Sequence, residues 1–124
     1  MQIKDLEPSL RTVAMPADAN PSGDIFGGWL MSQMDIASGT YAGFIAMGRV
    51  ATVAVNAMTF HLPVYIGDEI SCYCQTARIG TTSITVDVET WVRRRPNAHR
   101  EKVTEGRFTF VAINDAGRPR PVKG

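Results

Sequence analysis

Apolar positions along the chain change period once. From Gly28 to about Met47 they recur at Trp29 or Leu30, Met34, Ala37, Tyr41 and Phe44 or Ile45, the spacing of a helix, and no other segment sustains it. After Gly48 the period shortens to two. Thr52 to Phe60 reads as a strand, closed by Pro63 and the turn-like Gly67-Asp68, and Ile70 to Ile79 follows as a second. Gly80-Thr81 is short enough for a tight hairpin turn into Thr82 to Arg94. There Ile84, Val86, Val88, Thr90 and Val92 alternate with Thr85, Asp87, Glu89, Trp91 and Arg93, which predicts one buried face and one largely wet face. Val103 to Ile113 makes the final long strand, and Asn114-Asp115-Ala116-Gly117 turns the chain into a tail containing Pro and Arg. Ahead of the helix, Leu10 to Met15 forms a short strand, and Ala17 to Asp24, rich in Pro, Asn, Asp and Gly, forms a loop.

One helix set against four or five mostly hairpin-connected strands predicts an α+β fold: an antiparallel sheet with the helix on its apolar face. The 124 residues suit a single domain, 1–124, with 1–8 and 118–124 as flexible ends. One helix covers only part of such a sheet, and an open sheet has unpaired edges, so self-association is expected. With 44% apolar residues and a net charge of +1, neither disorder nor a general affinity for nucleic acid is indicated. Met1 to Glu7 lacks an apolar core, and no stretch approaches the roughly 20 apolar residues that span a bilayer, so a cytoplasmic protein without a membrane partner is expected. Cys72 and Cys74 share one strand face without the spacing of a disulfide staple or a His or Cys neighbour for zinc, so they are read as buried, inert thiols and no metal is expected.

The candidate chemistry sits at the start of the helix. Asn20-Pro21-Ser22-Gly23-Asp24-Ile25-Phe26-Gly27-Gly28-Trp29 leads into it, and adjacent glycines leave the unpaired N–H groups of the first turn open to a negatively charged oxygen. Asp35 lies seven residues after Gly28, two helical turns, on a face assigned also to Met31, Ser32, Ser38 and Gly39, with Met34, Ala37 and Tyr41 turned to the sheet. At about 1.5 Å per residue the two are roughly 10 Å apart along the axis, too far for both to act on one carbonyl. Two antiparallel copies of the helix across a two-fold axis would bring the start of one to the middle of the other, giving two shared sites per dimer. From the residues alone, a solvated or ion-paired Asp35 stands beside a catalytic one.

The pattern Asn20-x-x-Gly23-x-x-Phe26-Gly27-Gly28-Trp29 followed by Met31-Ser32-Gln33-Met34-Asp35 resembles the hotdog-fold acyl-CoA thioesterases, in their YciA-like branch. Matches continue from Thr12-Val13-Ala14-Met15-Pro16 through Met58-Thr59-Phe60, Val64, Gly67-Asp68, Gly80-Thr81-Thr82-Ser83 and Trp91-Val92 to Phe108-Thr109-Phe110-Val111. The resemblance implies a sheet wrapped around one long helix, dimers that join their sheets, and hexamers built as trimers of dimers. It implies hydrolysis of acyl-CoA to a free acid and CoA, with no cofactor. Asp35 would be the catalytic carboxylate, Gly28 of the neighbouring subunit the oxyanion donor, and Asn20 a residue orienting water or the thioester. The family often carries Lys or Arg before the proline equivalent to Pro63; this chain has His61-Leu62-Pro63.

Gly28 N–H would polarise the thioester carbonyl, and Asp35 would activate water or attack directly to form a mixed anhydride. Gly27 flanks the donor, and Gly80, Thr81, Thr82 and Ser83 offer amides and hydroxyls to pantetheine or phosphate. Arg93, Arg94 and Arg95 are candidate partners for the phosphates of CoA, and Met31, Met58 and Phe60 for its acyl chain. Acyl-thioester hydration or dehydration is disfavoured, because His61 and His99 lie far in sequence from Asn20 to Asp35. A non-catalytic acyl-CoA sensor is the alternative.

Overall fold

The computed structural model describes residues 1–123. Strand β1 (Leu10–Val13) leads through a loop into helix α1 (Gly27–Ala46), which delivers the chain to β2 (Val50–Phe60), β3 (Glu69–Ile79), β4 (Ser83–Arg94) and β5 (His99–Ala112). The five strands form one sheet in the order β1-β3-β4-β5-β2, all neighbours antiparallel. Because β1 and β2 occupy opposite edges, the helix joining them must cross the whole sheet, and it touches all five strands. The expected arrangement of a sheet wrapped around one long helix is found.

The alternation along β4 orients the core. Ile84, Val86, Val88, Thr90 and Val92 are buried as expected, and β5 adds Phe108 and Phe110 with ring centroids 6.5 Å apart. The opposite face of β4 is half-buried rather than wet; Trp91 Nε1 donates to Glu89, and the chain's amino terminus lies 4.0 Å from the same carboxylate. From the helix come Leu30, Met34, Ala37, Ala42 and Ala46, mostly small, which let the backbone approach the sheet. A Cβ on Gly39 would stand 3.4 Å from the Phe110 ring. Cys72 and Cys74 are free and buried, and burial pushes their thiols up to about 12 and about 11.

Three details differ from expectation. Strand β5 starts four residues early because β4 and β5 stay paired out to Arg94 and His99. The segment 118–123, expected as a free end, is docked: Arg120 Nη2 donates to Ala46 O at 2.7 Å, capping the helix C-terminus, and buried Val122 donates its amide to Thr81 O. Ser38, assigned to the polar face of Asp35, is fully buried with its hydroxyl donating to Met34 O at 2.7 Å. The exposed stripe of α1 is instead Gly28, Ser32, Ile36, Thr40 and Phe44, continued by Met47 at the C-cap. No helix among the described residues is long and apolar enough to cross a membrane.

Candidate active site

The loop before α1 is built around Asn20. Its Oδ1 accepts the amides of Ser22 at 2.9 Å and Asp24 at 3.1 Å, folding the segment that Gly23, at φ +90°, allows to turn. The side-chain oxygen is therefore committed to the loop, and what Asn20 can still offer is its amide N–H₂. Phe26, at the N-cap, provides no side-chain acceptor, and the amides of Gly27 and Gly28 have no hydrogen-bond partner among the described residues. The two glycines differ in their surroundings. A Cβ on Gly27 would lie 3.2 Å from the Phe60 ring, whereas nothing stands within 4 Å of that position on Gly28. Gly28 is thus exposed, with an unpartnered N–H at the positive end of a 20-residue helix.

Asp35 is half-buried at the border between α1 and edge strand β2, where Thr52 donates its hydroxyl to Oδ1 at 2.7 Å. This leaves Oδ2 free for chemistry, and among the described residues Asp35 forms no ion pair. Thr52 lies 17 positions away in sequence, and only the β2–β5 register that sets Thr52 opposite Phe110 brings it to the helix. Nothing in the local sequence marks it. Asp35 and Gly28 stand on one side of α1, roughly 10 Å apart along the axis.

The expected CoA-binding residues do not converge in one subunit. Gly80–Ser83 and Arg93–Arg95 occupy opposite ends of β4, roughly 33 Å apart at the rise of an extended strand. In the Gly80–Ser83 turn Gly80 N donates to Ser83 O, and Thr81 O and Thr82 O accept from Val122 and Ala112, while the amides of Thr81 and Thr82 have no hydrogen-bond partner among the described residues. Arg93 and Arg94, expected to face phosphates, are held by acids. Arg93 Nε lies 2.9 Å from Glu69, and Arg94 bonds Asp68, Glu101 and the Pro63 carbonyl while its guanidinium covers the Tyr65 ring. Asp68 is buried, so Arg94→Ala would leave its carboxylate uncompensated, and we expect a loss of about 3 kcal/mol in denaturant titrations with no change in KM. Arg95, exposed and without an ion pair among the described residues, is the free cation of the run.

At the departure from the family pattern, His61 pairs with Glu105 at 2.5 Å, and Lys102 adds a second contact at 3.2 Å. The hydrogen bonds from His61, then Lys102, hold the Glu105 carboxyl below its ordinary value. A lowered folded-state value stabilises the fold above the unfolded carboxyl range and loses that effect as acid protonates the group. Both partners are more than a third exposed, so Glu105→Gln is expected to cost under about 1 kcal/mol near pH 6, fading below about pH 4. Thermal melts across that range check it. Among the described residues no cluster of His, Cys, Asp or Glu is arranged to hold a metal ion.

A family model described as the Thioesterase superfamily matches residues 22–97. The acyl-CoA thioester hydrolase YciA of Salmonella typhimurium is 53% identical over 116 residues, covering 91% of this chain and 87% of that protein. Among solved structures, the hexameric thioesterase y2039 from Yersinia pestis superposes with a TM-score of 0.89 at 52% identity, covering 94% of this chain and 95% of that one. The hexameric hotdog-fold thioesterase of Campylobacter jejuni gives a TM-score of 0.90 at 41% identity, over 93% and 89%. With the family model spanning more than half of the chain and a relative matched over nearly all of it, this chain belongs to the hotdog-fold thioesterase superfamily, in its branch of YciA-like acyl-CoA thioester hydrolases.

Proposed function

We propose that this protein hydrolyses acyl-CoA thioesters to free acids and CoA, in sites shared between two subunits. The observation that carries the reading is one helix presenting an open, unpartnered amide at Gly28 and, two turns on, a carboxylate tethered by Thr52 with one oxygen free. An oxyanion donor and a base are the two groups that thioester hydrolysis needs. Their separation along α1 means that each works with its counterpart from another copy.

The surface supports such a pairing. Ile36 and Phe44 on α1 and Met47 at its C-cap, together with Val53, Val55 and Phe60 on edge strand β2, are exposed apolar side chains, Phe44 at 81% and Met47 at 90%. A second copy related by a two-fold axis, with the helices antiparallel, covers this stripe and sets Gly28 of one subunit against Asp35 of the other. It also brings Arg95 of one subunit to the same side of the pair as the Gly80–Ser83 end of the other, so that both can face one CoA. The hexameric state of the thioesterases from Yersinia pestis and Campylobacter jejuni supports three such dimers per assembly.

In the reaction the Gly28 N–H donates to the thioester carbonyl oxygen and stabilises the negative charge that develops there. Asp35 Oδ2 removes a proton from water, the oxygen attacks the carbonyl carbon, and collapse of the tetrahedral intermediate expels the CoA thiolate, which regains the proton. The Asn20 side-chain N–H₂ positions the thioester or the water. An attack by Asp35 itself would pass through an anhydride, and label on the Asp35 carboxyl after a single turnover in ¹⁸O water marks that route, whereas label in the acid alone reports water attack on the acyl carbon in either route. Thiol release assayed over a series of acyl-CoA chain lengths tests the function. Turnover is expected, whereas tight CoA-ester binding with no thiol released would favour a sensor.

A further inference from the structure

We propose that Gly106 and Met58 set the depth of the acyl pocket, making residue 106 the position that limits the length of the aliphatic chain the enzyme accepts. The proposal rests on the thioesterase reading above. On β5, Thr104, Gly106, Phe108 and Phe110 are all buried on the side facing α1. Their neighbours on β2 are Phe60 opposite Thr104, Val55 opposite Phe108 and Thr52 opposite Phe110. Opposite Gly106 the register slips: Ala57 and Met58 together face one residue, with Ala57 at φ +52°. This bulge turns Met58 inward.

The inward turn has a measurable result. A Cβ on Gly106 would stand 2.7 Å from Met58 Cε, 3.0 Å from its Sδ and 3.7 Å from Met34 Cε. Two methionine tips thus meet above a stretch of bare backbone, and Met58 occupies the space that a side chain at 106 would fill. This point lies two residues, roughly 7 Å, inward along β5 from the level of Phe60, whose ring covers Gly27 at the helix start. A chain entering from the Gly28 amide therefore meets Met58 next. Methionine is unbranched, with three rotatable bonds, and repacks at low cost, so it yields to a guest where a branched side chain would not. The surroundings, Met34, Val55, Met58 and Phe108, are apolar and suit an unsubstituted aliphatic chain. Nearer the mouth, Thr104 is fully buried with a hydroxyl that has no partner among the described residues, which fits a polar atom at the thioester end of the guest.

The test is the ratio of kcat/KM for a long-chain acyl-CoA to that for a short-chain one. Gly106→Ala drives the Met58 tip into the pocket and is expected to lower the ratio about tenfold or more, the discrimination that one methylene commands in an apolar pocket. Met58→Ala empties the same space and is expected to raise the ratio. The double variant Gly106→Ala, Met58→Ala returns it towards the wild-type value, a rescue that general damage to the fold would not give. If Gly106→Ala fails to fold, Met58→Ala and Met58→Phe must still move the ratio in opposite directions. An unchanged ratio in the Met58 variants overturns the proposal, and failure of the wild type to hydrolyse any acyl-CoA overturns the thioesterase reading beneath it.

Discussion

Asp35→Ala is expected to lower kcat for acyl-CoA hydrolysis by about 10³-fold or more while leaving the fold in place. The size follows from its role: general-base catalysis contributes about 10² to 10⁴, and in the proposed mechanism no second carboxylate replaces it. The fold should survive because Asp35 is half-buried, forms no ion pair among the described residues and makes one side-chain hydrogen bond, to Thr52. Loss of that bond costs on the order of 1 kcal/mol. Asp35→Asn separates chemistry from architecture, since its amide oxygen can still accept from Thr52 but its side chain cannot act as a base. Both variants should melt near the wild-type temperature and release almost no thiol. A purified Asp35→Ala protein that turned over at the wild-type rate would remove Asp35 from the mechanism.

How far the sequence reaches is clearest around this helix. Its length, the bare glycines at its start and the carboxylate two turns on are all periodic or local signals, and the structure has α1 at Gly27–Ala46. The face of Asp35 was legible only in part. A sheet that touches the helix with all five strands buries an arc about 180° wide, from Ala37 through Met34 to Ala46, on the 100° step of a helix. Ser38 stands about 40° from Met34 in that projection and falls inside the arc. Asp35 falls at its edge, where β2 supplies Thr52. A narrower stripe, as on a helix packed on a flat surface, leads to the wrong neighbours.

The basic run was legible only as charge. Charge in a sequence shows no partners, and Arg93 and Arg94 find theirs in Glu69, Asp68 and Glu101 on β3, β5 and the turn before β3. The docked tail is likewise a long-range event, made by Arg120 reaching Ala46, 74 positions back.

Mixing two inactive variants should restore activity, and this is the sharpest expectation of a shared site. Gly28→Pro removes the oxyanion N–H while leaving a residue that the first turn of a helix tolerates, and nothing stands within 4 Å of the Cβ position at Gly28. Loss of one such donor costs about 10² to 10³ in kcat, so Gly28→Pro alone should be nearly silent, as Asp35→Ala is. In a mixed dimer the two defects meet in one site, because the proline of one subunit faces the alanine of the other. The second site then combines an intact Gly28 with an intact Asp35. Random pairing on co-expression makes half of the dimers mixed, each with one working site, so about a quarter of wild-type activity should return. If Gly28 and Asp35 served one site within a single subunit, every site in every mixture would carry a defect, and thiol release would stay at the level of the separate variants.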